Sequence, residues 1–449
     1  MQKRIFTALV AILSTFSMYA TDYNILNFGA VSDTTLLSTQ AIQKAIDLCS
    51  QNQGGKVIIP SGSYKIGTLV LKSDVHLYLE QGATLYGSMD LKDYIPLKSD
   101  YVSLRTQGTT IQLIYADKVH NVIIDGFGAI DGRGKSFKKM DWNDEGITRP
   151  HLLRFINSQD ITIQNITLKN SGCWMQHYLA CDRIHITGIK VLNRNNYNND
   201  GLDLDGCHDV IVSDFFSDSD DDGITLKSTS SRACENVTIN NCVVSSHCNA
   251  IKLGTESNGG FKNITINNCV VKPSAIKTEQ FYGKPTGISA ISLEIVDGGS
   301  LQNVNISDIV VDGTESPIFI RLGNRARPYR QGQVIDNIGT IDGIHINNIT
   351  VTNAGQTGCS ITGLPNHPLQ NIYLSNITIT QKGGCKKIAT PKDEKEKEYP
   401  EATMWGDLPA KGFFVRHAKN IVFNNIEINT IQNDERPAFW YEDADIHIK

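Results

Sequence analysis

The sequence predicts an all-β protein folded as a parallel β-helix. One strand-like phrase recurs, its spacing matches one coil of a solenoid, and apolar and polar residues alternate within it. The phrase reads DITIQNITLKNS from Asp160, RIHITGIKVLN from Arg183, DVIVSDFFSDS from Asp209, NVTINNCVVSS from Asn236 and NITINNCVVKP from Asn263. Successive starts are 23, 26, 27 and 27 residues apart, a period typical of a solenoid coil and too short for a propeller blade. Apolar and polar residues alternate within the phrase, and Asn, Asp and Gly follow it, which indicates short strands joined by turns.

The two ends of the chain frame this solenoid. Residues 1–20 carry Lys3 and Arg4, then an apolar run, then Ala20, which is typical of an export signal. That run is shorter than the roughly 20 residues needed to cross a membrane, so we expect an exported protein, periplasmic or secreted, with residues 21–449 as one β-helix domain and no membrane partner. Apolar residues at helical spacing over Ser38–Ser50 predict a helix that caps the open end of the stack.

The composition excludes one class of function. The 449 residues include 42 basic and 47 acidic side chains, for a net charge of −5, so binding of nucleic acid through bulk positive charge is not expected. The acidic and basic run PKDEKEKE, residues 391–398, has no apolar residue and predicts a solvated loop.

Stacked coils predict ladders of identical residues, since equivalent positions on adjacent coils lie about 4.8 Å apart. Asn241 and Asn268 share one position of the repeat, and Cys242 and Cys269 share the next. We interpret the two cysteines as a thiol ladder rather than a disulfide or metal site, since the ten cysteines include no CxxC pair. The Asn-x-Ser/Thr triplets at Asn165, Asn236, Asn263 and Asn376 fall on the repeat, so they are interpreted as turn and ladder residues and not as glycan acceptors.

A second strand of each coil brings acidic residues together. It aligns as GLDLDG from Gly201, GITLKS from Gly223, AIKLGT from Ala250 and AISLEI from Ala290. This alignment places Asp200 and Asp222 at one position on successive coils, with Asp221 one residue earlier. Three uses of such a cluster remain open: paired acids for inverting glycoside hydrolysis, with carboxyl groups about 6.5–9.5 Å apart, a Ca²⁺ site as in a polysaccharide lyase, or a structural turn.

Residues 198–203 (NNDGLD) and 221–228 (DDGITLKS) resemble the NTDGxD and DDxxxxKS signatures of glycoside hydrolase family 28, the polygalacturonases. Similarity extends over nearly all the mature chain, including IDGRG from Ile130 and RPHLLRF from Arg149. The segment YPEATMWGDLPAKGFFVRH from Tyr399 resembles bacterial members of the family. The resemblance implies a right-handed, pectin-lyase-like β-helix and inverting hydrolysis without a metal or other cofactor. It also implies that Asp221 is the general acid, that Asp200 and Asp222 hold and deprotonate the water, and that Asn198 orients the acids or the sugar.

Two family motifs differ in this chain. The Gly-His-Gly of the family corresponds to Ser246-His247-Cys248-Asn249, with His247 one residue out of register. The resemblance implies that His247 helps to bind the substrate. The Arg-x-Lys that binds galacturonate corresponds to Ser292-Leu293-Glu294, so a cation is missing where an acidic sugar needs one.

Other cations can replace the missing pair. Lys252 shares the position of Ser292, and Arg321 and Arg325 follow one coil later. Alternatively, Arg321 forms a ladder pair with Glu294, with solvated arginines behind it. Upstream of the acids, Trp174 and His177 are candidates to line the sugar site, with core packing the alternative for Trp174.

These observations predict a hydrolase of a pectin-related polysaccharide or oligosaccharide, with a galacturonosidase or polygalacturonase activity. Rhamnogalacturonan or a pectin side chain is the alternative substrate, and a Ca²⁺-dependent lyase on the same fold is the alternative enzyme. A non-catalytic carbohydrate-binding solenoid is the third possibility.

Overall fold

A computed structural model describes residues 22–141, 144–275 and 286–449, and within them the chain forms a right-handed parallel β-helix. Its N-terminal half contains strands β1 (Asp22–Asn24), β2 (Gly55–Ile59), β3 (Gly62–Ile66), β4 (Leu69–Val70), β5 (Val75–Leu79), β6 (Ala83–Gly87), β7 (Gln112–Asp117), β8 (His120–Gly126), β9 (Ala129–Asp131), β10 (His151–Ile156), β11 (Gln159–Gln164), β12 (Thr167–Lys169), β13 (Gln176–Leu179), β14 (Asp182–Thr187), β15 (Lys190–Asn193) and β16 (Leu202–Asp205). The C-terminal half contains β17 (His208–Ser213), β18 (Phe216–Ser219), β19 (Ile224–Ser228), β20 (Cys234–Asn240), β21 (Val243–Ser246), β22 (Asn249–Ser257), β23 (Phe261–Val271), β24 (Ser289–Ile295), β25 (Ser300–Asp312), β26 (Ser316–Leu322), β27 (Thr340–Ala354), β28 (Cys359–Thr362), β29 (Leu369–Gly383), β30 (Phe413–Gln432) and β31 (Phe439–Ile448).

The strands stack because each pairs in parallel with the strand one coil away. Val237 pairs with Ile264, and Ile264 with Val304, so apolar side chains of equal phase lie over one another inside the coil. All three are buried. The alternation predicted from the repeated phrase therefore places one side of each strand in a continuous apolar core.

The predicted helix caps this core. It spans α1 (Thr39–Gln51) and buries Ala41, Ile42, Ala45, Ile46 and Cys49, the apolar residues that the sequence pattern assigned to its inner face. Four short 3₁₀ helices lie at Ile25–Phe28, Leu91–Asp93, Leu104–Thr106 and Gly134–Ser136. Among the described residues, no helix is both long and apolar enough to span a membrane.

The turns between strands carry the predicted asparagine ladders. Asn263 donates a side-chain hydrogen bond of 3.0 Å to Asn236, and Asn268 donates one of 2.6 Å to Asn241. These four residues have φ between 51° and 59°, the left-handed conformation that Asn tolerates better than most residues. The turn and ladder interpretation is confirmed at these positions.

The segment PKDEKEKE is a loop, as expected, but it is not simply solvated. It belongs to residues 384–412, which contain no strand or helix and which we call the C-terminal loop. Glu394 pairs with Arg416 at 2.7 Å, and the amide of Asn324 donates to the carbonyl of Glu396 at 2.6 Å. These contacts hold the loop against the coils, which linear charge patterning could not reveal.

The second strand of each coil forms the sheet that matters for function. Its register runs from His177 to Asp203, Thr225, Lys252 and Ser292. Asn249 pairs with Ser289 in the same sheet. The alignment made from sequence, coil upon coil, is therefore confirmed, and it determines which side chains meet on this face.

All ten cysteines are free and buried, and this gives a first prediction. We expect the same midpoint of denaturant unfolding with and without a reductant, because no disulfide constrains the unfolded chain. The measurement is fluorescence-detected unfolding in urea. A destabilisation on reduction of about 2–5 kcal/mol, the usual contribution of a native disulfide, would contradict the thiol ladder at Cys242 and Cys269.

Candidate active site

Three carboxylates lie at the start of two neighbouring strands. Asp200 precedes β16, while Asp221 and Asp222 precede β19. The amide of Gly201 donates to the carbonyl of Asp222 at 2.9 Å, so the two turns stack directly. The three aspartates are 3%, 9% and 3% exposed, respectively, which makes a compact and nearly dry acidic cluster.

The glycine after each acid is required by this stacking. A Cβ on Gly201 would lie 2.5 Å from the carbonyl oxygen of Gly223, and a Cβ on Gly223 would lie 2.5 Å from that of Ala250. Side chains do not tolerate such contacts, so the Asp-Gly pairs in both motifs serve close approach of successive coils. That approach keeps Asp200 and Asp222 on adjacent rungs.

Two buried lysines compensate the acids. Lys252 Nζ lies 3.2 Å from Asp222 Oδ2, and Lys227 Nζ lies 3.7 Å from Asp200 Oδ2. Lys227 is also 3.4 Å from Asp203. Removing paired charges from water is costly unless each keeps its partner, so both lysines are part of the construction of the site.

This arrangement separates the pKa values of the three acids. Burial, and then the charges of Asp200 and Asp222, raise the pKa of Asp221 well above its ordinary value. Burial also raises the pKa of Asp200, to about 6. Burial acts in the same direction on Asp222, but Lys252 and Lys227 outweigh it and hold the pKa of Asp222 below its ordinary value. The cluster thus supplies a protonated acid beside an ionised carboxylate, the combination required for acid–base catalysis.

The same cluster is a poor cradle for Ca²⁺. Oxygens of Asp221 and Asp222 and the thiol of Cys248 lie within 4.8 Å of one another. Calcium takes 6–8 oxygen ligands, and a thiol is not one of them. Lys252 already pairs with Asp222. Its positive charge would repel a calcium ion bound to the same carboxylate.

Upstream of the acids lies a cavity of about 230 Å³, lined in part by Trp174 and His177. The two rings meet edge to face, 4.9 Å between centroids. Arg105 and Lys227 lie 4.5 Å and 4.8 Å from the centre of the Trp174 ring. Trp174 is only 3% exposed and also lines this cavity. It is therefore packed, as one alternative from the sequence required, and it forms part of a cavity wall, as the other required.

The comparisons with known proteins agree with this geometry. The model of glycosyl hydrolases family 28 matches residues 49–398, which include all three acids. This chain belongs to that family. It is 28% identical over 413 residues to a probable polygalacturonase of Vitis vinifera, covering 84% of this chain and 77% of that protein.

Other proteins are similar to this chain over a shorter stretch or in fold. An exo-poly-alpha-D-galacturonosidase of Dickeya chrysanthemi is 39% identical over 155 residues, 33% of this chain and 25% of that one. The crystal structure of an exopolygalacturonase from Thermotoga maritima superposes with a TM-score of 0.71 at 19% identity, covering 91% of this chain and 92% of that chain. At that identity the superposition shows the shared fold alone.

Asn198 stands beside the acids as the family 28 signature suggests. It accepts a 2.9 Å hydrogen bond from Arg149 Nη2 through its side-chain oxygen. Arg149 is fully buried and pairs with Asp144. Asn198 is therefore held in a fixed orientation at the edge of the cluster, and its contact with substrate stays a prediction.

The structure places His247 behind the acids, in a buried polar group, and its expected contact with substrate stays a prediction. Its side chain is fully buried, with Nδ1 at 2.7 Å from Asp220 and Arg194 within 3.1 Å of the ring. The one-residue shift noted in the sequence turns the imidazole toward Asp220, next to Asp221 in the chain. His247 thus packs behind the acids.

Arg321 also makes its hydrogen bonds within the protein. It pairs in register with Glu294, but in the described part of the chain the two form no ion pair. Its guanidinium instead donates to Thr362 Oγ1 and to the carbonyl of Gly363, each at 3.3 Å, and to the carbonyl of Glu394. Arg321 is 1% exposed and holds the C-terminal loop through these hydrogen bonds, so its expected contact with a sugar stays a prediction.

The C-terminal loop supplies residues that the sequence analysis missed. The Tyr399 hydroxyl accepts from Lys252 Nζ at 3.2 Å, and Glu401 lies 3.9 Å from the Cys248 thiol. Burial raises the pKa of Glu401 to about 8. The signal was the similarity of the segment from Tyr399 to bacterial family members, which located the segment without showing which coil it covers.

Arg325 lies on the same side of the acids. Its guanidinium binds Asp297, with Nε 3.0 Å from Oδ1, and sits 5.8 Å from the centre of the Tyr399 ring. Lys252, Tyr399 and Arg325 therefore form one group on the C-terminal side of the acids. They occupy the side on which family 28 carries the missing Arg-x-Lys.

A second prediction concerns the charge of Lys252. In Lys252→Met the pKa of Asp222 should rise by about one unit or more, because an adjacent opposite charge typically lowers a carboxyl pKa by 1–3 units. The pKa values of Asp200 and Asp221 should rise as well, since Lys252 lowers both. Carboxyl-carbon NMR titration of aspartate-labelled protein measures this.

The matched control is Lys262→Met, which removes an exposed lysine paired with Glu235 on the outer surface. It should leave the titration of the three acids unchanged. Identical titration curves in wild type and Lys252→Met would contradict the compensation of Asp222 by Lys252.

Proposed function

We propose that this family 28 hydrolase is exported and cleaves glycosidic bonds of galacturonate-rich pectin with inversion at the anomeric carbon. The observation that carries the proposal is the set of three aspartates on two adjacent rungs, with the pKa of Asp221 raised and that of Asp222 lowered. The names of the polygalacturonase relatives support a pectic substrate. The signal-like residues 1–20, which lie outside the described residues, support export.

Asp221 is assigned as the general acid. Its raised pKa favours the protonated form, so Asp221 donates its proton to the glycosidic oxygen as the bond to the anomeric carbon breaks. The amide of Asp222 donates to Asp221 Oδ1 at 2.9 Å. That bond orients the carboxyl group, and the proton leaves with the departing sugar as its new hydroxyl.

Asp200 and Asp222 are assigned to the water. Lys252 and Lys227 favour the ionised form of Asp222, so it accepts a proton from a water that attacks the anomeric carbon from the face opposite the leaving oxygen. Asp200 stands on the adjacent rung and accepts the second hydrogen bond of the same water. Because attack and departure occur on opposite faces, the configuration at that carbon inverts.

Lys252, Arg325 and Tyr399 are assigned to the carboxylate of the galacturonate on the C-terminal side. Lys252 supplies the charge closest to the acids, and the guanidinium of Arg325 suits a carboxylate. This group takes the place of the Arg-x-Lys that is absent at Ser292 and Glu294. Glu294 accepts hydrogen bonds from Ser292 Oγ at 2.6 Å and from Thr255 Oγ1 at 3.0 Å. Both of its carboxylate oxygens are therefore already hydrogen-bonded within the sheet.

A third prediction tests the acid. Asp221→Asn should lower kcat on polygalacturonate by about two orders of magnitude or more, because positioned proton transfer typically contributes 10²- to 10⁴-fold. The fold should be retained, as judged by circular dichroism and the unfolding midpoint. Proton NMR of the first product formed by wild type should show the inverted anomer.

The control is Asp209→Asn, the same chemical change on an exposed ladder residue that accepts from Asn236. It should keep full activity. Equal hydrolysis by Asp221→Asn and wild type would remove Asp221 from the reaction, whereas the absence of hydrolysis in both proteins would favour a non-catalytic carbohydrate-binding solenoid.

Two further readouts distinguish the alternative enzyme and the alternative substrate from the proposed function. An unsaturated, ultraviolet-absorbing product that is lost with a chelator would indicate a lyase. Release of sugar only from rhamnogalacturonan would mean that the changed cation group serves another sugar.

A further inference from the structure

The C-terminal loop is packed beside the acids by a small apolar cluster. This cluster joins two residues of the loop to three of the coils: Ala402, Met404, Cys248, Ile288 and Phe319. Ala402 is only 1% exposed, and burial of apolar surface stabilises this contact. The residue that precedes Ala402 in the chain is therefore held at a fixed place next to the coil that follows the acids.

Further contacts hold the loop on both sides of this cluster. Before it, the Tyr399 hydroxyl accepts a hydrogen bond from Lys252 Nζ at 3.2 Å. After it, the guanidinium carbon of Arg321 lies 5.0 Å from the centre of the Trp405 ring. The segment between Tyr399 and Trp405 is thus fixed at both ends as well as in its middle.

Glu401 lies in this segment and approaches the acids. Its Oε1 is 3.9 Å from Sγ of Cys248, and that thiol lies within 4.8 Å of carboxylate oxygens of Asp221 and Asp222. The other oxygen of Glu401, Oε2, is buried and has no hydrogen-bond partner in the described part of the chain. A buried polar atom without a partner is costly, so this carboxyl has room for one more hydrogen bond, which a ligand can supply.

The charged neighbours of Glu401 set its protonation state. Burial raises the pKa of Glu401 to about 8 against the opposing charge of Lys252, and the charges of Glu294 and Asp222 raise it further. The other titratable groups that face it are Cys248 and Tyr399. Burial raises the pKa values of both well above 8, so neither ionises before Glu401 does. Glu401 is therefore neutral at pH 7 and ionised at pH 9.

A neutral carboxyl suits this place because positive charge is scarce there. Lys252 already pairs with Asp222 at 3.2 Å, and Arg325 already binds Asp297. A galacturonate held by these two cations brings a further negative charge. A protonated carboxyl offers it a hydrogen-bond donor without adding charge, and a hydrogen bond to a carboxylate is stronger than one between neutral groups.

We propose that Glu401 is a specificity residue for the galacturonate assigned to Lys252: its protonated carboxyl donates a hydrogen bond to the carboxylate of the sugar, and its ionised form repels that carboxylate. This inference rests on the proposed function and adds the residue that makes recognition of the acidic sugar depend on pH. The uronate stays ionised throughout, so its binding is present below the pKa of Glu401 and is lost as the pH rises through about 8. A neutral sugar in the same place is bound alike on both sides of that pH.

The first experiment measures binding without turnover. Asp221→Asn, which also removes the titration of the general acid, is titrated with trigalacturonate in a calorimeter at pH 7 and at pH 9. The Kd should rise about 10-fold, because the neutral fraction of Glu401 falls from about nine-tenths to about one-tenth. At pH 9 the binding should take up about one proton per ligand, seen as a dependence of the heat on the ionisation enthalpy of the buffer.

The second experiment replaces the titrating group by one that does not titrate. Glu401→Gln in the Asp221→Asn protein keeps a donor, so the Kd should be the same at pH 7 and pH 9, with no proton uptake. The matched control is Glu398→Gln, the same change on an exposed residue of the same loop that pairs with Lys395. It should keep the 10-fold rise.

Glu294 is the other carboxyl in this region whose pKa is raised, by burial. Glu294→Gln in the Asp221→Asn protein should also keep the 10-fold rise in Kd. A rise that disappears in Glu294→Gln and persists in Glu401→Gln would overturn the assignment to Glu401.

A trigalacturonate whose carboxyls are reduced to alcohols decides the case even if Glu401→Gln does not fold. It should bind Asp221→Asn more weakly and with the same Kd at both pH values. An equal rise for the acidic and the reduced ligand, or no rise for either, would overturn the role of Glu401. If wild type hydrolyses polygalacturonate, that result leaves the proposed function standing, whereas no binding of trigalacturonate and no hydrolysis would overturn both proposals.

Discussion

The parallel pairing of each coil with the next is the constraint on which the structure depends. It holds equivalent residues about 4.8 Å apart, so a residue type repeated at one position becomes a ladder whether it is apolar, amide or thiol. Val237, Ile264 and Val304 illustrate the core, and Asn236 with Asn263 the turns. The same register places Asp200 and Asp222 on neighbouring rungs. The geometry of the acidic cluster is thus a special case of ladder geometry, with glycines allowing the close approach.

The acidic cluster is stable because its charges are divided between opposing environments. Burial acts on all three aspartates in the same direction, toward the neutral form. Lys252 and Lys227 reverse that effect at Asp222 and not at Asp221. Two adjacent residues of one turn therefore favour different protonation states. The buried group of His247, Asp220 and Arg194 lies behind them and packs against the turn.

Segments outside the repeat shape the surroundings of this cluster. Residues 104–111 cross the sheet on the N-terminal side, and the C-terminal loop brings Tyr399 and Glu401 to the opposite side. Each segment is held by one buried arginine. Arg321 donates to the C-terminal loop, whereas Arg154 donates to residues 105 and 110 and also lines the cavity beside Trp174.

The sequence by itself determined the β-helix, the capping helix and the position of the three acids, because all of these follow from local periodicity and from register along a repeat. It also located Lys252, which shares a repeat position with Asp203 and Ser292. Only the tertiary structure decided the hydrogen-bond partners of His247 and Arg321 and the presence of Tyr399 near the acids. Those depend on side-chain direction within a turn and on the paths of non-repeating loops. Neither has a period, so no spacing in the sequence encodes where they meet the coils.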